Sequence, residues 1–472
     1  MDRLLSMASP VSIPEFDPAL IARYDVAGPR YTSYPTAPQF TADFDETALR
    51  AAIRASNEEP IPRPLSLYVH VPFCMSPCFY CGCNRVITRD AGQADRYLER
   101  LYREIELIAP LFDRDRPVRQ LHFGGGTPNF LDAVRMRELM ESLARHFSFS
   151  HDVNREYGIE IDPRYADGKY VGALGELGFN RISVGIQDFD PAVQQAVNRI
   201  QSFEQTREVI DAARAAHFRS VSVDLIYGLP LQTLDGFSRT LDQIVALGPD
   251  RVAVYGYAHL PEMFKAQRQI DAAELPDAAT RLALFGCALE KLGAAGYVYI
   301  GMDHFARSDD ELARAQRAGT LQRNFQGYST HGDCDIVGLG VSAIGRIGDS
   351  YSQNARDLVG YYAALDAGRL PVARGLQLDE DDLIRRELIG QLMCHGVLDK
   401  RAFGARHRLL FDEYFLRERK QLAPLLADGL IVEDARMLRV TSRGRLLLRI
   451  IAMCFDAYRG DAAQTPRYSR VI

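Results

Sequence analysis

Four cysteines fall within ten residues of this chain, in the run Cys74-Met75-Ser76-Pro77-Cys78-Phe79-Tyr80-Cys81-Gly82-Cys83. A tight C-x3-C-x2-C-x-C loop reads as a metal site rather than a disulfide framework in a chain of 472 residues and eight cysteines. Three arrangements compete for it. Structural zinc closes on four ligands, usually two separated pairs, and the sequence has no second C-x2-C pair. A ferredoxin-type cluster also takes four thiolates, with the fourth placed further along the chain. A site-differentiated [4Fe–4S] cluster would need only Cys74, Cys78 and Cys81, leaving one iron open to a chelating ligand. Cys394 and Cys454 stand apart from this, in apolar helical contexts that suit buried, inert thiols.

The other chemically suggestive residues sit where strands end. From Leu65 to about Ala258, short β-rich runs alternate with amphipathic stretches. Strands are expected at Ser66–Val71, Gln120–Phe123, Tyr157–Ile161, Arg181–Ile186, Val221–Ile226 and Arg251–Tyr255. Helices are expected at Ala94–Ile108, Ala133–His146, Pro191–Ala216 and Thr233–Leu247. Six such repeats with short connections predict an α/β fold: a parallel sheet closed, or partly closed, as a (β/α)6 barrel. Ligands then meet the C-terminal strand ends. The cysteine loop follows the first strand and Gly124-Gly125-Gly126-Thr127-Pro128 the second; the triplet is not G-x-G-x-x-G, so no dinucleotide site is read there. Glu160, Gln187, Asp224 and Tyr257-Ala258-His259 mark the ends of the next four. Carboxylates such as Glu160 and Asp224 are costly in apolar strands unless a ligand or an ion pair, for which Arg181 or Arg199 is available, satisfies them. His70, His122, His259 and His304 are candidate bases, although a single histidine is more often a satisfied core residue.

Elements outside the repeats position rather than react. Residues 1–60 read as an N-terminal arm whose polar, proline-bound segment 28–37 would cap the open mouth, with Arg30 receiving an anionic group. Residues 61–350 form the barrel and its extension. The stretches Gly301–Phe305 and Arg323–Tyr328 are expected to be extended or irregular. Residues 351–472 read as mainly helical (Ala355–Ala367, Asp379–Met393, Phe411–Asp428), with a hairpin at Leu430–Thr441 and a final helix from Arg443 to Tyr458. The winged-helix look of that module is assigned to packing rather than DNA binding. A formal charge of −6, from 56 basic and 62 acidic residues, supplies no global field for nucleic acid. Only five of the basic residues are lysine, and arginine forks suit planar oxyanions. No apolar run is long enough to span a membrane, and Met1–Leu20 does not read as a signal peptide; a cytoplasmic monomer is expected.

The C-x3-C-x2-C spacing, the aromatic Tyr80 before the third cysteine, Gly-Gly-Gly-Thr-Pro, the Gln187 strand and Asp224-Leu225-Ile226-Tyr227-Gly228-Leu229-Pro230 together resemble the coproporphyrinogen-oxidase branch of the radical S-adenosylmethionine (SAM) superfamily. The resemblance runs from Gly28-Pro29-Arg30-Tyr31 to Ser469-Arg470-Val471-Ile472. Cys83, the Pro-Arg-Tyr-Thr-Ser-Tyr-Pro-Thr segment and Arg323–Tyr328 resemble the oxygen-independent oxidases; haem chaperones, which would bind haem without decarboxylation, are the alternative. The resemblance implies conversion of two propionates of coproporphyrinogen III to vinyls in porphyrin biosynthesis, through a 5′-deoxyadenosyl radical. It implies a [4Fe–4S] cluster on Cys74, Cys78 and Cys81, with Cys83 not a ligand. It further implies that Tyr68, Gly125 and Glu160 contact cluster-bound SAM. Tyr80, Gly126, Thr127, Gln187, Arg199, Asp224, Ala258 and Ile344 would contact a second SAM. A low-potential donor such as flavodoxin or ferredoxin would supply electrons.

Overall fold

The computed structural model describes residues 13–459 together with Tyr468 and Arg470; most of the segment Met1–Leu20, and Ser469, Val471 and Ile472, lie outside the described residues. All six expected strands form, each close to its expected bounds: β1 Leu65–Val71, β2 Pro117–Gly125, β3 Glu156–Ile161, β4 Arg181–Gln187, β5 Ser220–Tyr227 and β6 Arg251–Gly256. They continue into β7 Tyr297–Gly301, β8 His304–Arg307, the hairpin β9 Gln322–Asn324 with β10 Gly327–Ser329, then β11 Asp335–Leu339, β12 Ile344–Ile347, β13 Ser350–Asn354 and β14 Val372–Gln377. Apart from the β9–β10 hairpin these belong to one sheet, in the order β7-β8-β6-β5-β4-β3-β2-β1-β11-β12-β13-β14. The block from β6 to β11 is parallel; β7 and β8 at one edge and β12 to β14 at the other are antiparallel.

Period-two patterning explains how this sheet makes a site. In β4, Ile182, Val184 and Ile186 are buried on one face, while Ser183, Gly185 and Gln187 alternate on the other. In β5, Val221, Val223 and Leu225 are buried, and Ser222 and Asp224 alternate with them. The apolar face packs under helices, with Leu139 and Leu143, Val209 and Ile210, and Leu241 and Ile244 in the same core. Full burial of each such side chain is worth about 1.5–3 kcal/mol. The polar face of β2 to β6 lines a single chamber, which requires the sheet to curl. Register sets Tyr68 beside His122, and Asp224 beside Gly185.

Several local expectations change. The single helix expected over Pro191–Ala216 is two, Pro191–Ala196 and Phe203–Ala215. Asn198 adopts a left-handed φ of 54° between them, and its side-chain amide donates to the Pro77 carbonyl at 2.7 Å. That break turns Arg199 inward. The Phe411–Asp428 helix is likewise split, because Phe415 leaves helical geometry to bury its ring completely. The Gly301–Phe305 and Arg323–Tyr328 stretches form strand pairs; they are too short for periodicity to show, and their neighbours supply the pairing. The boundary expected at 350/351 falls inside the sheet, which runs on to Gln377.

Beyond Gln377, the helix Glu380–His395 and its successors pack around a three-stranded sheet, β15 Val397–Asp399, β16 Ile431–Glu433 and β17 Met437–Val440. Leu388, Phe403, Phe415 and Ile451 share their core with Leu20, Tyr31 and Tyr34 of the arm and Ile300 of β7. The module's apolar side is therefore spent on internal packing. The arm is held by polar ties as well: Tyr31 donates to Asp456 at 2.8 Å, and Arg449 donates to the carbonyls of Gly28 and Pro29. No helix among the described residues is long and apolar enough to cross a membrane.

Candidate active site

Cys74, Cys78 and Cys81 line one cavity of about 300 Å³ at the C-terminal strand ends. Tyr80, Gly125, Gly126, Thr127, Glu160, Gln187, Arg199 and Asp224 line it too. Among the described residues, no three His, Cys, Asp or Glu side chains converge as a single metal ion would require. The three thiols share the lining of one cavity.

Hydrogen-bond donors and cations surround the thiols. Thr127 Oγ1 donates to Cys74 Sγ at 3.3 Å. Arg199 Nη1 lies 3.5 Å and Arg164 Nη2 3.6 Å from Cys78 Sγ. The Cys83 N–H donates to Cys81 Sγ at 3.4 Å. Hydrogen bonding from Cys83, with the charges of Arg85 and Arg199, draws the Cys81 thiol below its ordinary value, whereas burial pushes Cys74 up to about 11. These donors and cations fit an electron-rich iron–sulfur cluster.

The glycine triplet gives close approach. Gly125 has φ 111°, and the Gly126 N–H donates to the Val71 carbonyl at 2.8 Å. A Cβ at Gly126 would lie 2.7 Å from the Pro72 carbonyl, so no other residue fits without moving backbone. Gln187 ends β4 with φ 72°.

Glu160 meets His122 Nε2 at 3.2 Å. Burial would raise its carboxyl, but the His122 bond and charge and the Gly125 N–H hold it below the usual range. Burial, together with the like charge of Glu160, raises Asp224 to about 7; Ser183 donates to it at 3.0 Å. The ion pairs anticipated for these acids do not form: Arg181 pairs with Glu311, and Arg199 with Asp162 at 3.1 Å.

A second cavity of about 190 Å³ occupies the curled sheet and shares Glu160, Ser183, Asp224 and Tyr255 with the first. Tyr68 lines neither; its ring stacks on His122 and its hydroxyl lies 3.1 Å from His70 Nδ1. Ala258 opens instead on a third cavity, about 620 Å³, beside Arg30 and Tyr257. Ile344 packs near Phe40 and Tyr351. Arg30 is paired with Asp303 and lies over the Tyr255 ring. Of the histidines, His70 bonds the Asn84 carbonyl, His259 bonds Tyr257, and His304 is buried between Tyr255 and Tyr328. Burial and the charges of Arg323, Arg30 and Arg251 push His304 down to about 3, leaving it neutral.

Sequence reasoning passed over Asp162, Arg164, Arg85 and Tyr255. Asp162 and Tyr255 carried a usable signal, since both stand at strand ends. Arg164 and Arg85 carried none, because only tertiary contact brings them to the thiols.

The Radical SAM superfamily model matches residues 68–244, and the HemN C-terminal domain model matches residues 378–447. The chain is 53% identical over 97% of its length to the oxygen-independent coproporphyrinogen III oxidase of Pseudomonas aeruginosa, covering 99% of that protein. It is 47% identical, over 97% of its length and 99% of the relative's, to the protein of the same name from Escherichia coli. The solved structure of coproporphyrinogen III oxidase (HemN) from Escherichia coli superposes with a TM-score of 0.90 at 46% identity, over 95% of this chain and 100% of that one. Three thiols ringing a strand-end cavity, a glycine cradle beside them and likeness along nearly the whole length lead to one assignment: the chain belongs to the oxygen-independent coproporphyrinogen III oxidase family of radical SAM proteins.

Proposed function

We infer that this protein converts two propionate side chains of coproporphyrinogen III to vinyl groups without oxygen, giving protoporphyrinogen IX. The observation that carries this reading is the cysteine cavity sharing Glu160, Ser183, Asp224 and Tyr255 with the sheet chamber, in a chain 53% identical along 99% of its Pseudomonas relative. Cys74, Cys78 and Cys81 would hold three irons of a [4Fe–4S] cluster, with SAM on the fourth. When bound, these groups would supply an electron and a 5′-deoxyadenosyl radical able to take a hydrogen atom from a propionate β-carbon, after which loss of carbon dioxide and of one electron to a one-electron acceptor leaves the vinyl.

The chain's own residues do the rest. Gly125 and Gly126, whose missing side chains make room for His70 and the Pro72 carbonyl, hold their turn at the cavity wall, and Glu160, fixed by His122, would offer an acceptor to an ammonium or ribose hydroxyl. Tyr68 buttresses His122. Tyr80, Thr127, Gln187, Arg199 and Asp224 form the wall on which a second SAM would rest, with Ala258 and Ile344 further out. Arg199 and Arg164 neutralise thiolate charge. The arm, residues 28–37, would help exclude water, since it sets Arg30 over the ring of Tyr255 at the chamber's edge. The division of labour we propose is arm 1–60, catalytic sheet from 61, and a helical module beginning after Gln377. Electrons would come from a flavodoxin or ferredoxin, and the enzyme would act as a monomer.

The test is anaerobic: reconstitute and reduce the protein, add SAM and coproporphyrinogen III, and follow vinyl product with 5′-deoxyadenosine. Product that disappears in Cys78→Ser supports the reading. SAM cleavage without vinyl product overturns it.

A further inference from the structure

Under the arm lies a small cleft of about 50 Å³, walled by Tyr31–Tyr34 on one side and by β9 and the helix Glu380–His395 on others. Three arginines from three elements line it: Arg323 of β9, Arg346 of β12 and Arg386 of that helix. Four of their N–H-bearing nitrogens, Arg323 Nε and Nη1, Arg346 Nε and Arg386 Nη1, are buried without a hydrogen-bond partner. Among the described residues lining the cleft there is no carboxylate. Arg346 spends its Nη2 on the Gly332 and Cys334 carbonyls, and Arg386 its Nη2 on Asp349 at 3.1 Å. Arg323 hydrogen-bonds Tyr328, and the unused donors are the guanidinium nitrogens that none of these partners takes.

Three cations cost free energy at close quarters, and each buried N–H without an acceptor adds its own desolvation penalty. An oxyanion removes both penalties, because guanidinium forks match carboxylate geometry. Room for one small group is available; a water molecule claims about 30 Å³ of liquid. Position adds the second argument. The Arg323 guanidinium lies 4.6 Å over the ring of Tyr328, and Tyr328 lines the sheet chamber beside His304 and Tyr255. The cleft therefore backs directly onto the chamber wall.

We propose that Arg323, Arg346 and Arg386 form the receptor for one propionate carboxylate of the tetrapyrrole, closed over by residues 31–34. This rests on the function inferred above and names residues that would select a polycarboxylate substrate. It accounts for Arg30 being committed to Asp303, since the anion has a better-donated site next to the arm.

The experiment measures binding of coproporphyrin III, the air-stable form with four carboxylates, by fluorescence to the reconstituted full chain and to Arg386→Gln and Arg346→Gln. Mesoporphyrin, with two carboxylates, is titrated in parallel. Iron content and Tm report whether each variant is folded, and Arg323→Lys tests the fork against a point charge. Coproporphyrin III affinity is expected to fall roughly ten- to a hundredfold in the Gln variants, and the KM for coproporphyrinogen III to rise in proportion. Mesoporphyrin should lose less. Equal coproporphyrin III affinity in wild type and folded variants overturns the proposal. So does inorganic phosphate raising the wild-type Tm without competing with coproporphyrin III, which would mark a free-anion site. Vinyl formation with an unchanged KM in the variants would refute the receptor alone. Coproporphyrin III binding that depends on these arginines, without vinyl formation by wild type, would refute the inferred reaction and leave the receptor standing.

Discussion

Arg199 sets one guanidinium nitrogen 3.5 Å from the sulfur of Cys78. The same nitrogen lies 3.1 Å from an Asp162 carboxylate oxygen, so a cysteine thiol and a buried acid share one cation. Burial alone would raise Asp162, yet the charge of Arg199 and the bonds from Arg164 hold it below the usual carboxylate range. Arg199→Gln should destabilise the chain by about 1–3 kcal/mol at pH 7, less than for an abandoned buried charge, because Arg164 stays at 2.7 Å. A depressed carboxylate stabilises above its unfolded pKa and loses that contribution as pH falls through its folded one. The gap between wild type and variant, read by urea unfolding, should therefore close below about pH 4.

Cys83 lines the same cavity, and both its thiol and its backbone N–H hydrogen-bond the Cys81 sulfur. Cys83→Ser retains that N–H and should keep its iron. Cys78→Ser should lose it. Iron per chain after anaerobic reconstitution distinguishes the two, and equal loss would make Cys83 a ligand.

Asp224 carries the opposite sign to Asp162. Burial and Glu160 raise it to about 7, so its cost to the ligand-free fold builds as pH rises from the ordinary value near 3.8 and is complete above 7. Asp224→Asn should be more stable than wild type at pH 8 by on the order of 1–3 kcal/mol and nearly equal to it at pH 4. SAM binding should weaken at the same time. A variant less stable at pH 8 would show that Asp224 is ionised and well satisfied.

Gly126→Ala would place a methyl 2.7 Å from the Pro72 carbonyl and 2.8 Å from that of Phe73. Backbone cannot yield as a side-chain tip can. A loss of about 1–3 kcal/mol is expected, with reduced iron retention, measured by urea unfolding and metal analysis.

Arg449 ties the arm down by donating to the carbonyls of Gly28, Pro29 and Arg470. Arg449→Gln should speed thermolysin cleavage near residues 24–36 severalfold while leaving the sheet resistant, because only low-stability segments open locally. Unchanged cleavage would show that the packing of Tyr31 and Tyr34 suffices.

How much of this was legible beforehand follows from the range of the forces involved. The six strands could be read because alternation and β-branched content are local, and each strand must satisfy the same two-faced environment. The cysteine loop could be read because its ligands lie within eight residues of one another, so spacing alone constrains geometry. Strand ends exposed Glu160, Gln187 and Asp224 for the same reason. Pairings between distant segments left no such trace. Nothing near Arg199 announced that Asn198 would break its helix, and nothing in Asp162 named its cation. The strands that extend the sheet past residue 300 are too short for a period to show and form because an edge is there to accept them. The arginine cleft draws its donors from residues 323, 346 and 386, which no spacing rule connects. The alternation, the cysteine loop and the strand-end chemistry follow from contacts a few residues apart, which local sequence fixes. Which charges share a partner and which face a cavity is set by long-range packing, because a buried ion's energy depends on whatever the fold packs against it.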